Sequence, residues 1–379
     1  MTPVTVVALS DTRKDVAAFV RFAETVYRNN RFWVPPLVVE QKHYIRSGPF
    51  NRFGEKQLFM AYRGTEPVAR LSVHRNFAHN KRYNVNQGFF GFFEAKEDSE
   101  GAHAVFEAGE RWLKDKGCVD LLGPMSFSIY EEIGLLVDGF EDAPVLLCPY
   151  NPPYYANLLE QIGFRKEIDW YGYKLDKTQL IPPAMERIYQ RVVTREGVSL
   201  QPATAQTWKR NAAIVRRIFD EAWSGNWGHV PFDDAHWATI SKQIKLAVLR
   251  DLSWFVYENG EPVGFLIVVK DFNVALREAR GRLFPLGWIR LLRRISKIKR
   301  LRILIMGFLE PYRARGYDLA IAYESLRRAQ EQGYELCDCS QIVEDNDRLV
   351  KGLEVLGAER YKTFRIYRKA IDVPLSESV

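Results

Sequence analysis

The residues of this 379-residue chain best suited to chemistry lie in one short turn and a few scattered acids. Arg313-Ala314-Arg315-Gly316-Tyr317-Asp318 joins an apolar, strand-like run over 303–309 to a segment with apolar residues at 319, 322, 323, 326 and 329, which is helical spacing. A turn at a helix start presents backbone N–H groups at the positive end of the helix, where an anion such as a pyrophosphate is stabilised, and glycine lets it approach. Read plainly, the same residues are a strand, a turn and a helix. Cys118, Cys148, Cys337 and Cys339 make no metal-binding spacing, and no Ser-His-Asp or Cys-His arrangement supplies a covalent nucleophile. His229, between Trp227 and Pro231, reads as a loop histidine able to act as a base.

These residues need a scaffold, and the chain shows its nature by repeating itself. LFMAYRGTEPVARLSV around residue 60 and WFVYENGEPVGFLIVV around 255 are both strand, polar turn, strand. Glu66-Pro67-Val68 matches Glu261-Pro262-Val263 at an offset of 195, and the same offset, within one residue, pairs Trp33 with Trp227, Pro36 with Pro231, Asn151 with Asn346, Gly163 with Gly357 and Tyr173 with Tyr367. Between these landmarks the offset becomes 216, pairing Glu94 with Glu310 and Gly117 with Gly333, so each copy carries its own insertion. In the first copy it is PMSFSIYEEIGLLVDGFEDAP; in the second it is the segment 277–302. The pattern predicts two α/β (α+β) domains, 1–180 and 198–379, joined by a linker over 181–197. In the second copy it predicts helices over 207–223, 317–332 and 346–356, a hairpin over 252–269, and strands over 302–309, 334–341 and 361–369.

Composition bounds the partners. With 47% hydrophobic, 27% charged and 13% aromatic residues the chain is globular, and its apolar runs are strand-length, far short of a membrane span. The beginning of the chain shows no signal peptide, and the cysteine pattern fits a reducing compartment, so a cytoplasmic protein is expected. Of the net charge of +7, the segment 277–302 contributes +9, from ten Arg or Lys against Glu278, which leaves −2 elsewhere. Charge this local points to one anionic partner rather than to nucleic acid. Within 287–298, Trp288, Leu291, Leu292, Ile295 and Ile298 fall on one helical face and Arg290, Arg293, Arg294 and Lys297 on the other. A basic amphipathic helix of this kind suits an anionic membrane surface, and equally a helix packed on its own domain with a solvated basic side.

The segment ILIMGFLEPYRARGYDLAIAYESLRRAQEQGY resembles the acyl-CoA-binding core of the GNAT acyltransferases, whose strand leads into an Arg-x-x-Gly-x-Gly turn and a helix. The resemblance implies two tandem GNAT-like domains, each a mixed central sheet flanked by helices. It places Gly307, Phe308 and Leu309 beside pantetheine, and Arg313, Ala314, Arg315, Gly316, Tyr317 and Asp318 around the pyrophosphate, with Asn346 opening the helix that follows. Asp318 stands where the family has its last glycine, and Leu353 where a tyrosine general acid is common. The first copy carries Ala95-Lys96-Glu97-Asp98-Ser99-Glu100 in place of the phosphate turn, so the second copy is expected to bind acyl-CoA and the first to shape the other substrate.

More narrowly, Gly123-Pro124-Met125-Ser126-Phe127-Ser128, Glu132 to Phe140 and Asn151-Pro152-Pro153-Tyr154-Tyr155 resemble motifs of a bacterial tandem-GNAT group that includes ceramide synthases. That resemblance implies transfer of a long-chain fatty acyl group from acyl-CoA, a co-substrate rather than a resident cofactor, to the amine of a lipid such as a sphingoid base. Direct attack on the thioester needs a base, and Glu132 and Glu94 are the first candidates, followed by His229, Glu310 and Tyr130. The aromatic run Phe89-Phe90-Gly91-Phe92-Phe93 suits either a core or an acyl channel. Two other classes stay open: a tandem-fold peptidyltransferase using aminoacyl-tRNA, and a non-catalytic lipid-binding module.

Overall fold

In the computed structural model, which describes residues 2–178, 181–279 and 287–371, the two copies build the same run of elements. The first copy gives β1 (Val4–Leu9), α1 (Arg13–Val26), α2 (Val38–Ser47), β2 (Gly54–Arg63), β3 (Glu66–Asn76), α3 (Phe77–Tyr83), β4 (Gln87–Ala95), α4 (Ser99–Asp115), β5 (Asp120–Gly123), β6 (Leu135–Asp138), α5 (Tyr155–Ile162) and β7 (Arg165–Asp176). The second gives α6 (Pro183–Val193), β8 (Val198–Pro202), α7 (Trp208–Ala222), α8 (Asp234–Ala247), β9 (Trp254–Glu258), β10 (Glu261–Lys270), α9 (Asn273–Ala279), α10 (Gly287–Ile295), β11 (Arg300–Phe308), α11 (Tyr317–Glu331), β12 (Leu336–Asp338), β13 (Ile342–Val343), α12 (Asp347–Val355) and β14 (Glu359–Ala370). Apart from α6 and α10, each element of the second run has its counterpart in the first.

The chain divides into two compact units. Among the described residues, unit 1 comprises 2–170, 273–279, 287–293 and 362–371, and unit 2 comprises 171–178, 181–272 and 294–361. This differs from the expected boundaries in two ways. The last strand of each copy is exchanged: β14 pairs antiparallel with β5 and β6 in unit 1, while the end of β7 pairs with β12 in unit 2. The two strands share an alternating pattern, so their sequences do not say which sheet each will join. The linker, in turn, is largely a folded helix, α6, belonging to unit 2.

In unit 1, β1 to β4 form an antiparallel meander and β5 runs parallel to β4. The amphipathic α4 lays Ala102, Val105, Phe106, Gly109 and Leu113 against Leu71, Val73 and Phe90 of the sheet. Each large apolar side chain buried there contributes roughly 1.5–3 kcal/mol. Helix α1 contributes Val16, Phe19, Val20 and Phe22 to a second apolar cluster with Leu58 and Met60. Unit 2 repeats the plan, with β8 to β11 antiparallel and β12 parallel to β11. In both units the parallel pair is only three residues long, 87–89 with 120–122 and 300–302 with 336–338. Beyond it each pair parts, and what enters the gap distinguishes the two units.

Candidate functional site

In unit 1 the gap beside β4 is occupied by the chain's own insertion. The Met125 N–H donates to Phe90 O at 2.8 Å, and Met125 and Ile133 bridge to close a tight loop. Gly91 makes this possible, because a Cβ there would lie 2.1 Å from the Met125 carbonyl oxygen. Phe127 anchors the loop by stacking on Phe50 at 4.5 Å, and the Tyr44 hydroxyl donates to Ser126 O at 3.0 Å. Held in this way, the loop carries Glu131 and Glu132 beside β4, whose Glu94 lies at the strand's end.

Glu94 is directly opposite Arg70 in the sheet register, and the two side chains approach to 3.5 Å. Arg70 is 3% exposed, and its Nη1 donates to Phe19 O at 2.6 Å and Val20 O at 3.2 Å of α1. The other Glu94 oxygen accepts from the Tyr155 hydroxyl at 2.8 Å, while that hydroxyl itself accepts from the Ala95 N–H at 2.7 Å. Burial pushes the Glu94 carboxyl up, against the opposing pull of Arg70, Tyr155 and Tyr27. Burial and then the Glu94 charge hold Tyr27 and Tyr155 well above the usual phenol range, so both remain protonated.

Glu132 keeps accessible surface, yet the surrounding protein, followed by the negative charge of Glu94, pushes its carboxyl up to about 7, with Arg70 pulling the other way. Burial likewise pushes Glu131 up to about 8. The arrangement therefore offers a reachable carboxyl that exchanges a proton near neutrality, beside a second carboxylate whose two oxygens are already engaged.

The two copies also differ where an anion would sit. In unit 1 the Asp98 side chain caps α4 by accepting from the Gly101 N–H at 2.8 Å, and Arg63 clamps both Asp98 and Glu100. A fixed carboxylate thus occupies the helix start. In unit 2 the start of α11 has no side-chain cap: Ala314 (φ +66°) and Gly316 (φ +80°) turn the backbone into the helix. Asp318 lies in the first turn of α11 with its side chain directed to Arg348 at 3.1 Å. Arg313 donates to Phe308 O at 3.1 Å and Ala222 O at 2.7 Å, and Arg315 grips both oxygens of Glu258 at 3.0 and 2.9 Å. Gly307, Phe308 and Leu309 lead along β11 into this turn, beyond the stretch paired with β12.

The remaining candidates are spread out. His229 is 0% exposed, packed edge-on against Phe219 at 5.4 Å inside unit 2, so its ring offers a substrate no surface. Glu310 is exposed in the turn after β11, and the Tyr130 N–H donates to Ser128 Oγ in the insertion of unit 1. Asn346 caps α12 through the Leu349 N–H at 3.3 Å, and Leu353 is buried. In the basic segment, Arg280 and Arg282 and the side chains of Arg290 and Leu291 lie outside the described residues; Trp288 and Leu292 of α10 are 46% and 60% exposed. Sequence reasoning does not single out Arg70, Tyr155 or Glu131 as site residues. Arg70 leaves a signal, since it is the one charge inside the apolar run 68–73.

No family model matches the chain. Protein YghO of Escherichia coli is 32% identical over 367 residues, covering 95% of this chain and 94% of its own. The bacterial ceramide synthase of Caulobacter vibrioides is 30% identical over 369 residues, covering 95% and 96%. Among solved structures, a tandem GNAT protein from the clavulanic acid biosynthesis pathway superposes with a TM-score of 0.55 at 11% identity, covering 97% of this chain and 99% of that one. A GCN5-related N-acetyltransferase from Sphaerobacter thermophilus gives 0.53 at 14%, covering 97% and 96%. The tandem GNAT fold expected from the Arg313 turn and the repeat is borne out, and the chain is an N-acyltransferase belonging to the family that includes the bacterial ceramide synthase of Caulobacter vibrioides.

Proposed function

We propose that this N-acyltransferase moves a long-chain fatty acyl group from acyl-CoA to the amine of a lipid such as a sphingoid base, with Glu132 as general base. The amine nitrogen attacks the thioester carbonyl, the C–S bond breaks, CoA leaves as the thiolate and the proton lost by nitrogen passes to Glu132. Glu94, engaged by Arg70 and Tyr155, acts on Glu132 electrostatically and raises its carboxyl, which makes it a stronger base. The observation that carries this reading is Glu132 itself, an accessible carboxyl pushed up to about 7, since a base of that strength is efficient near neutral pH.

The donor's share is assigned to unit 2, whose uncapped α11 start contrasts with the Asp98-capped start of α4. The backbone N–H groups of the Arg313–Gly316 turn would receive the pyrophosphate, and β11 at Gly307, Phe308 and Leu309 the pantetheine. The lipid acceptor accords with α10, which exposes Trp288 and Leu292 within a basic segment suited to an anionic membrane surface. No helix among the described residues is long and apolar enough to cross a membrane. The test is to incubate the purified protein with dodecanoyl-CoA and sphinganine and to follow N-acyl product by mass spectrometry. Amide that forms with the unsubstituted protein and falls at least about a hundredfold with Glu132→Gln is the expected result. Equal rates for the two proteins would sink the assignment of Glu132.

A further inference from the structure

We infer that Arg191 and Arg195, from the segment joining the two copies, form a second anion site beside the α11 turn, and that its ligand is the 3′-phosphate on the ribose of CoA. The inference rests on unit 2 binding the acyl donor.

The geometry begins with Gly316. A Cβ there would meet Ile188 Cγ2 at 2.8 Å and Val192 Cγ2 at 4.0 Å, so the glycine lets α6 press directly on the helix start. Tyr189 meets Tyr323 at 5.0 Å, farther along α11, so α6 runs antiparallel to α11 and delivers its C-terminal end to the turn. Met185 and Val192 face inward, and Arg191 is exposed beside them. Arg195, just past the helix end, has its guanidinium 5.9 Å from the Tyr317 ring and 3.3 Å from Glu258.

Glu258 is therefore shared by Arg195 and Arg315, with Arg315 over the Tyr312 ring at 4.9 Å. One carboxylate between two guanidiniums leaves a net positive charge, and Arg191 sets a further cation in the last turn of α6, four residues before Arg195. The buried Tyr317 hydroxyl lies within reach of both Arg315 and Glu258 and ties that pair to the start of α11. Planar guanidiniums held by a carboxylate and aromatic faces are pre-organised for a phosphate, which accepts two parallel N–H bonds from such a fork. CoA carries two anionic centres. The backbone of the turn suits the pyrophosphate, and the arginines one helix away suit the phosphate on the ribose.

The test measures equilibrium binding of dodecanoyl-CoA and dodecanoyl-3′-dephospho-CoA to the full chain and to an Arg191→Gln/Arg195→Gln variant. The unsubstituted protein is expected to prefer the 3′-phosphorylated thioester by about tenfold, as two partly exposed charge contacts provide, and the variant to lose that preference. The ratio of the two affinities does not depend on the fraction of protein folded, so a destabilised variant still reports. A ratio near one in the unsubstituted protein, or an unchanged preference in the variant, overturns the assignment while leaving the donor site in unit 2 standing. Failure of the unsubstituted protein to bind either thioester removes the donor site and this inference together.

Discussion

Replacing Glu94 by glutamine tests the division of labour between the two carboxylates. The acyl-transfer step needs Glu132 ionised, so kcat/KM is expected to rise with pH through about 7 and level off above it. After burial, the largest influence raising Glu132 is the charge of Glu94, and Arg70 only partly offsets it. The Glu94→Gln change removes that charge and leaves Arg70 unopposed, so the ionised form of Glu132 gains stability and the acid limb moves to lower pH. A like charge at close range in a partly desolvated site is worth on the order of one pH unit, or about 1.4 kcal/mol. A weaker base transfers protons less readily, so the plateau falls modestly while activity below pH 6 rises relative to that plateau. The assay is the pH dependence of kcat/KM between pH 5 and 9, with Glu132→Gln as the reference for loss of the base. A Glu94→Gln limb that stays in place or moves upward would refute the reasoning, because Glu94 would then not act electrostatically on Glu132.

Three further perturbations follow from the same geometry. Gly91→Val sets a side chain against the Met125 carbonyl, with even its Cβ only 2.1 Å away, and displaces the loop bearing Glu132; kcat should drop more than tenfold, with a stability loss of about 1–3 kcal/mol, read by steady-state kinetics and thermal melting. Trp288→Glu/Leu292→Glu puts two charges on exposed apolar positions of α10; cosedimentation with phosphatidylglycerol vesicles should be lost, while turnover of a short, water-soluble acyl-CoA stays unchanged. Glu131 has a folded-state carboxyl at about 8, above its ordinary 4.5, so the folded protein holds the extra proton and stability is lost as pH rises from 4.5 through 8; Glu131→Gln should therefore raise the melting temperature by several degrees at pH 9 and much less at pH 5.

Much of this was legible in the chain because local pattern and local structure agree. The hairpins at Glu66-Pro67 and Glu261-Pro262 formed as β2–β3 and β9–β10, and the spacing after Tyr317 became α11. Glu94 and Glu132, far apart in sequence, stand out by strand position and motif, and they interact electrostatically in unit 1. What the chain hid was tertiary. Arg70 looks like an interruption of an apolar strand, and only the register with β4 makes it the partner of Glu94. Burial of His229 also depends on Phe219 packing against it, which its loop sequence does not announce. The role of α6 was invisible for a related reason, because a charged, proline-containing segment between two repeats reads as linker until Gly316 leaves room for Ile188 and Val192 to dock.

The exchanged strands carry the last prediction. A fragment ending at residue 180, the boundary that sequence repetition suggests, keeps all of β1 to β7 yet lacks β14. In unit 1 that strand pairs Tyr367 with Gly123 and Arg365 with Leu135, and it buries Phe364, Ile366 and Tyr367 almost completely. Three such side chains contribute roughly 5–9 kcal/mol, as much as the whole stability of a typical domain; β6 would also lose its ladder to β14, and β5 would keep only its short pairing with β4. Fragment 1–180 should therefore be unfolded or aggregated, and joining 362–379 to its end through a flexible linker should restore cooperative unfolding by circular dichroism. Cooperative, monomeric unfolding of 1–180 alone would contradict the exchange. With the strands exchanged, unit 1 becomes complete only after the last residues of β14 are made, so the carboxylate site cannot mature before the second copy has been synthesised.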